Sequence, residues 1–144
     1  MKRTKAEISA VMQRVRSKGT APEVRLGAAL RSLKLHFSLH RSDLPGCPDF
    51  VFDSQQVVVF LDGDFWHGRQ WKLRGLSSLS SQFKRCRNRS YWIEKIERNV
   101  SRDRFNSRRL RRLGWTVLRI WESDLRKRPE ASLRRVIRAL KRGQ

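Results

Sequence analysis

Two short apolar runs in "DFVFDSQQVVVFLDGDFWHG" (49–68) constrain the fold more than any other stretch. "DFVFD" (49–53) and "VVVFLD" (57–62) are rich in β-branched and aromatic residues, and Ser54, Gln55 and Gln56 between them suit a tight turn. They read as buried, hairpin-linked strands. "LHFSLH" (35–40) alternates apolar and polar residues as a half-buried strand does, and "WTVLRIW" (115–121) is a last strand that places Trp115 and Trp121 in the sheet. Apolar residues recur at helical spacing over 5–16 (Ile8, Val11, Met12, Val15) and over about 21–34 (Leu26, Ala29, Leu30, Leu33). The same spacing marks a long helix over about 90–112 that stops at Gly114, and a closing helix from Pro129 to about Lys141. Residues 68–90 have weak periodicity and many serines, and read as an irregular, mobile segment. The order α-α-β-β-β-α-β-α predicts helices flanking a small mixed sheet in one α/β domain, residues 1–144, large enough for a real core.

Charge narrows the partner. The chain carries 34 basic against 13 acidic residues, a net charge of +21, and 25 of the basic residues are arginine. Arginine's planar fork grips phosphate through two parallel hydrogen bonds, so a nucleic acid is the expected partner. No run approaches the roughly 18–20 apolar residues that span a bilayer, and "MKRTKAEISA" has a basic start without an apolar core, so no membrane partner and no secretory signal are expected. Cys47 and Cys86 form no C-x-x-C pair and cannot supply a four-thiolate zinc site; two free thiols are expected.

Within this basic chain, acids and a histidine gather at 49–68. Asp49 follows Pro48 at the start of one strand, and Asp62 stands at the end of the next, before Gly63. Hairpin-linked strands place their loops at opposite ends unless one curls, so the pattern leaves open whether the two carboxylates meet. Together they would offer hard oxygen donors to Mg²⁺; apart they are turn-forming aspartates. His67, after Phe65-Trp66, has a pKa suited to a general base beside phosphate, and equally suits a structural role. Thr20 and Glu23 in "TAPE" make a capping-box pattern, while Glu23 also shares a helix face with Leu26, Leu30 and Leu33; spacing alone favours the cap.

On the long helix, Trp92, Ile96, Asn99, Asp103, Asn106, Leu110 and Leu113 form one stripe that three polar residues interrupt. Burying such a group without a partner costs on the order of 1–3 kcal/mol. Either that end leaves the core, or Asn99 and Asp103 meet a polar site beside the acids. Phe65, Trp66 and Trp92 suit wedges that unstack a base step, or ordinary packing.

Taken together, "SKGTAPE", "LPGCPDFVF", "VVVFLDGDFWHG", "YWIEKIERNVSRDR" and "LGWTVLRIWESDL" resemble the bacterial very-short-patch-repair (Vsr) mismatch endonucleases, in order from about residue 12 to residue 126. The resemblance implies a restriction-endonuclease-like fold of the PD-(D/E)XK superfamily and Mg²⁺-dependent nicking of DNA at T:G mismatches. It implies that Asp49 binds the metal, that His67 is the general base, and that Glu23 orders water, so that Glu23 serves both cap and site. Asp62 falls where typical members carry another histidine beside the metal; an aspartate there is familiar among relatives, including the EDxHD homing endonucleases, and suits metal binding. Asp103 and Asn99 match polar residues that support the site, Phe65, Trp66 and Trp92 match aromatics pushed into the duplex, and Met12 and Val15 lie where the family's N-terminal segment meets DNA. Typical members hold a structural zinc where this sequence reads Asp64, Arg69, Trp71 and Ser123, so none is predicted.

The expectation is therefore a cytoplasmic, nucleoid-associated DNA-repair hydrolase that binds double-stranded DNA as a monomer, with other repair proteins as candidate partners. The rivals are a homing or restriction-like endonuclease acting on fully paired DNA and a non-catalytic DNA-binding module.

Overall fold

The structure, a computed structural model, describes residues 3–14 and 21–143. Its elements run α1 (Lys5–Arg14), α2 (Pro22–Ser32), β1 (Ser38–Leu39), β2 (Phe50–Phe52), β3 (Val57–Asp62), α3 (Gln70–Leu73), α4 (Leu79–Gln82), α5 (Arg89–Arg112), β4 (Thr116–Trp121), α6 (Glu122–Lys127) and α7 (Pro129–Arg142). The sheet is mixed, as the element order predicts: β1-β2-β3-β4, with β1–β2 and β2–β3 antiparallel and β3–β4 parallel. No helix among the described residues is long and apolar enough to cross a membrane.

Strand alternation sorts the sheet into two faces. Phe50, Phe52, Val57, Val59 and Ile120 point into the larger core, built with α1, α2, α6 and α7 through residues such as Ile8, Leu26, Leu30, Leu125 and Leu133. Each large side chain buried there stabilises the fold by roughly 1.5–3 kcal/mol. Val51, Val58 and Phe60 point the other way, onto Leu110 of α5. By the same alternation Asp62 and Arg119 lie on the α5 face, because Phe60 pairs with Arg119 and Asp62 with Trp121.

Several expectations change. The strand over 35–40 shrinks to Ser38–Leu39, because Leu35 and Phe37 pack on the larger core instead of pairing. Residues 68–90 contain α3 and α4, two four-residue helices too short for periodicity to reveal. Ser78 caps the second by accepting from the Ser81 N–H at 3.2 Å, and Phe83 is buried beyond it. Helix α6 was also unforeseen. The capping box sits at Thr4–Glu7, where Thr4 N–H donates to Glu7 at 2.8 Å and Glu7 N–H to Thr4 Oγ1 at 3.1 Å. The "TAPE" helix starts instead from Ala21, with Pro22 in its first turn and no side-chain cap. Thr20 lies outside the described residues. Leu113, counted in the apolar stripe of α5, is 60% exposed just past the helix end.

Candidate active site

An antiparallel hairpin brings the start of its first strand beside the end of its second. The pairing Phe50↔Val59 therefore sets Asp49 next to the last residues of β3, and the Leu61 N–H donates to Asp49 Oδ2 at 2.7 Å. Asp49, Asp62, His67, Asn99, Asp103 and Asn106 line one cleft of about 700 Å³, so the polar residues of α5 do face the acids. Two separate groups of titratable side chains meet it, one through Asp49 and the other through Asp62, His67 and Asp103.

The first group is Glu23, His40 and Asp49, whose ligand atoms lie within 4.8 Å of one another. Glu23 arrives on α2 from the larger-core side of the sheet. His40 Nε2 lies 2.7 Å from Glu23 Oε1, and its Nδ1 is 3.6 Å from Asp49 Oδ1. The backbone of His40 is left-handed, at φ 48°, a conformation uncommon outside glycine that aims the imidazole between the two acids. Burial raises the Asp49 carboxyl above its ordinary range and the neighbouring Glu23 charge adds to this, against the lowering by the Leu61 N–H. The Glu23 carboxylate is thus engaged by His40 rather than by a helix cap.

The second group is Asp62, His67 and Asp103. His67 Nδ1 is hydrogen-bonded to Asp103 Oδ2 and lies 3.8 Å from Asp62 Oδ1. Asp62 is only 4% exposed, and Arg119 Nη1 donates to both its oxygens at 3.0 and 3.1 Å. The same guanidinium reaches Ser107 Oγ at 2.9 Å and the Asp103 carbonyl at 3.2 Å, and lies 4.1 Å from the centre of the Phe60 ring. Burial raises the Asp62 carboxyl, although Arg119 and His67 pull it back. For His67, burial works to lower the pKa, but the Asp103 hydrogen bond and the Asp62 and Asp103 charges win, and the net shift is upward from 6.5. Gly68 lets this loop approach α5: at φ 80° it has no side chain, and a Cβ there would stand 2.9 Å from Val100 Cγ2.

Phe65, Trp66 and Trp92 pack together with ring centroids 5.0–5.8 Å apart, joined by Phe83 and Tyr91. Trp66 is 45% and Tyr91 52% exposed, and the Lys95 ammonium lies 5.1 Å from the Trp66 ring centre. Asn99 donates to the Trp66 carbonyl at 2.9 Å, which ties this cluster to α5.

The loop that carries Phe65, Trp66 and His67 is fastened on both sides. Asp64 accepts from Ser123 Oγ at 2.7 Å and from Ser123 N–H at 3.1 Å. Arg69 donates to Asp124 Oδ2 at 2.8 Å, and its guanidinium lies 5.2 Å from the centre of the Trp121 ring. Asp64, Arg69 and Ser123, three of the four positions at which the resemblance implies zinc in typical members, thus take part in polar contacts with each other or with α6.

One expectation does not survive placement. Met12, expected to face DNA, is 3% exposed in the larger core, where it cannot touch a partner. Val15 lies outside the described residues. Two residues escaped the sequence reading. His40 passed as the polar slot of an alternating strand, and Arg119 as a residue of the last strand, though a lone cation between Leu118 and Ile120 was a usable signal.

Comparison with known proteins agrees with this geometry. The profile of the family described as DNA mismatch endonuclease Vsr matches residues 2–73. The type II nicking enzyme V.NmeDIP of Neisseria meningitidis serogroup C is 40% identical over 130 residues, covering 90% of this chain and 83% of the relative. The DNA mismatch endonuclease Vsr of Escherichia coli K12 is 40% identical over 124 residues, 86% of this chain and 74% of the relative. The type II nicking enzyme V.HpaIIP of Haemophilus parainfluenzae is 36% identical over 115 residues, 80% of this chain and 77% of the relative. With its mixed sheet, flanking helices and clustered acids, the chain belongs to the Vsr family of DNA mismatch endonucleases, which has a restriction-endonuclease-like fold.

Proposed function

We propose that this protein is a Mg²⁺-dependent endonuclease that nicks one strand of double-stranded DNA at T:G mismatches in very-short-patch repair, working as a cytoplasmic monomer without structural zinc. The observation that carries the reading is the cleft that Asp49 and His67 both line, inside a chain of net charge +21. The arginine-rich surface holds the polyanion, and binding weakens steeply with salt.

A hard divalent cation fits the first group. Two carboxylates share it, and the Asp49 pKa is raised first by burial and further by the Glu23 charge, a repulsion that a bound cation relieves. Asp49 and Glu23 would hold it, with His40 orienting Glu23, and when bound it would supply positive charge that stabilises the phosphate during cleavage. Asp62, paired with Asp49 as a ligand in the sequence reading, has both oxygens on Arg119; we assign it to hold Arg119 and to charge-stabilise His67.

Asp103 fixes His67 through Nδ1, which leaves Nε2 to accept the proton of the attacking water. A base must be neutral to act, so cleavage rises with pH through the elevated His67 pKa and is lost on acidification. Trp66, the most exposed ring of the Phe65–Trp66–Trp92 trio, inserts beside a mispaired step, which opens more readily than a paired one.

A nicking assay on end-labelled duplexes, with and without one T:G mismatch, tests this. Mg²⁺-dependent cleavage of one strand of the mismatched duplex is expected. Equal cutting of both duplexes would reject mismatch selectivity and favour an enzyme of fully paired DNA; no cutting of either would reject the nuclease.

A further inference from the structure

The wall formed by Asp62, His67, Asp103 and Arg119 has a second side. Behind it lies another cleft, of about 840 Å³, between α5, the end of β4 and the short helix α3. Helix α5 presents Glu97, Val100, Ser101, Arg104, Arg108 and Arg111 to it, positions that recur at three- and four-residue steps and so share one helix face. Trp71 and Lys72 line it from α3, Trp121 and Arg119 from β4.

The charges of this cleft divide into two sets. Arg69 and Arg119 are already engaged, with Asp124 and Asp62. Lys72, Arg104, Arg108 and Arg111 are exposed and make no ion pair with any described residue. Each indole carries a cation on one face, Lys72 on Trp71 and Arg69 on Trp121. Apart from Glu97, which is exposed and also makes no ion pair with any described residue, what the cleft has free is cationic, and Arg104, Arg108 and Arg111 stand in a row on α5. From Arg104 to Arg111 the row rises about 10 Å along the helix, roughly three nucleotide steps along one strand.

We infer that this second cleft holds the sugar–phosphate backbone of the DNA on one side of the scissile phosphate, with Arg104, Arg108 and Arg111 each meeting a phosphate. The inference rests on the nuclease reading above. His67 and Asp103 line both clefts, so a strand whose scissile phosphate faces Asp49 passes His67 and continues along the arginines. The contacts are to phosphate alone, so they position DNA of any sequence and add nothing to mismatch choice.

Fluorescence anisotropy of a labelled T:G duplex, without divalent metal and over a range of salt, tests it on three proteins. These are the wild type, the cleft variant Arg104→Gln/Arg108→Gln/Arg111→Gln, and a variant with the same charge loss on α7, Arg138→Gln/Lys141→Gln/Arg142→Gln. All six positions are exposed, so the fold tolerates the changes. The cleft variant is expected to bind at least about tenfold more weakly at physiological salt, with a salt slope shallower by about 2–3, while the α7 variant shifts far less. Shortening the duplex from one end should weaken the wild type to the level of the cleft variant and leave that variant unmoved. Equal behaviour of the two variants, or equal sensitivity of wild type and cleft variant to shortening from both ends, would overturn the inference alone. Failure of the wild type to bind any duplex would overturn the DNA reading and this inference with it.

Discussion

Asp62 is buried and lays both carboxylate oxygens on Arg119, whereas Asp49, two positions from it across the hairpin end, has one backbone N–H and a histidine 54% exposed. The Asp62 group brings its own permanent cation; the Asp49 group leaves two acids facing each other beside open cleft. The difference teaches where a metal belongs. A guanidinium is always charged and holds Asp62 and Asp103 in one fixed arrangement around His67. At Asp49 the positive charge has to come from solution.

The sharpest way to break this contrast is Asp49→Asn. Cleavage should fall on the order of 10³-fold, the loss of several kcal/mol of transition-state stabilisation. Stability should move the other way. The folded-state pKa of Asp49 is raised, so the fold favours the protonated carboxyl, and that preference is lost as pH climbs from 3.8 through the raised value. At neutral pH the ionised side chain opposes folding, and Asn removes the charge. Thermal unfolding at pH 7 without metal should show a Tm higher by about 3 °C; an unchanged or lower Tm would break the account of uncompensated charge.

On the other side, Arg119→Met leaves Asp62 buried without its cation and should destabilise by about 3 kcal/mol in urea denaturation. Adding Asp62→Asn should restore at least half of that loss. No rescue would mean that Arg119 acts through Ser107 or Phe60 packing instead.

The smallest expected effect concerns the loop fastening. Ser123→Ala removes one hydrogen bond to Asp64 and should cost about 1 kcal/mol, with kcat for nicking lowered more than KM for DNA is raised. Elemental analysis should find no stoichiometric zinc in the wild type. One zinc per chain would show that the fastening is not the polar set of Asp64, Ser123, Arg69 and Asp124.

What the sequence made legible follows the same division. β3 was read over its full extent, 57–62, because an unbroken apolar run leaves few alternatives, and of the two options that the interrupted stripe on α5 leaves open, the structure has the one that brings Asn99 and Asp103 to the acids. The Asp62–Arg119 pair was not legible: its members lie 57 residues apart, and only the parallel register of β3 with β4 brings them to one face. His40 was hidden because a polar residue in an alternating segment looks like a solvent-facing slot until a left-handed turn redirects it. Met12 was misplaced because an amphipathic helix shows which side is apolar but not whether protein or DNA covers it. The four-residue helices between Gly68 and Arg89 fall below what any periodicity can register.

The most direct test of the central claim is Mn²⁺ binding to the protein–DNA complex, followed by electron paramagnetic resonance of the free ion and corrected for DNA alone. Wild type and Asp62→Asn should take up the ion, and Asp49→Asn should not. Uptake retained by Asp49→Asn, or abolished in Asp62→Asn, would contradict the assignment of the metal to the Asp49 group.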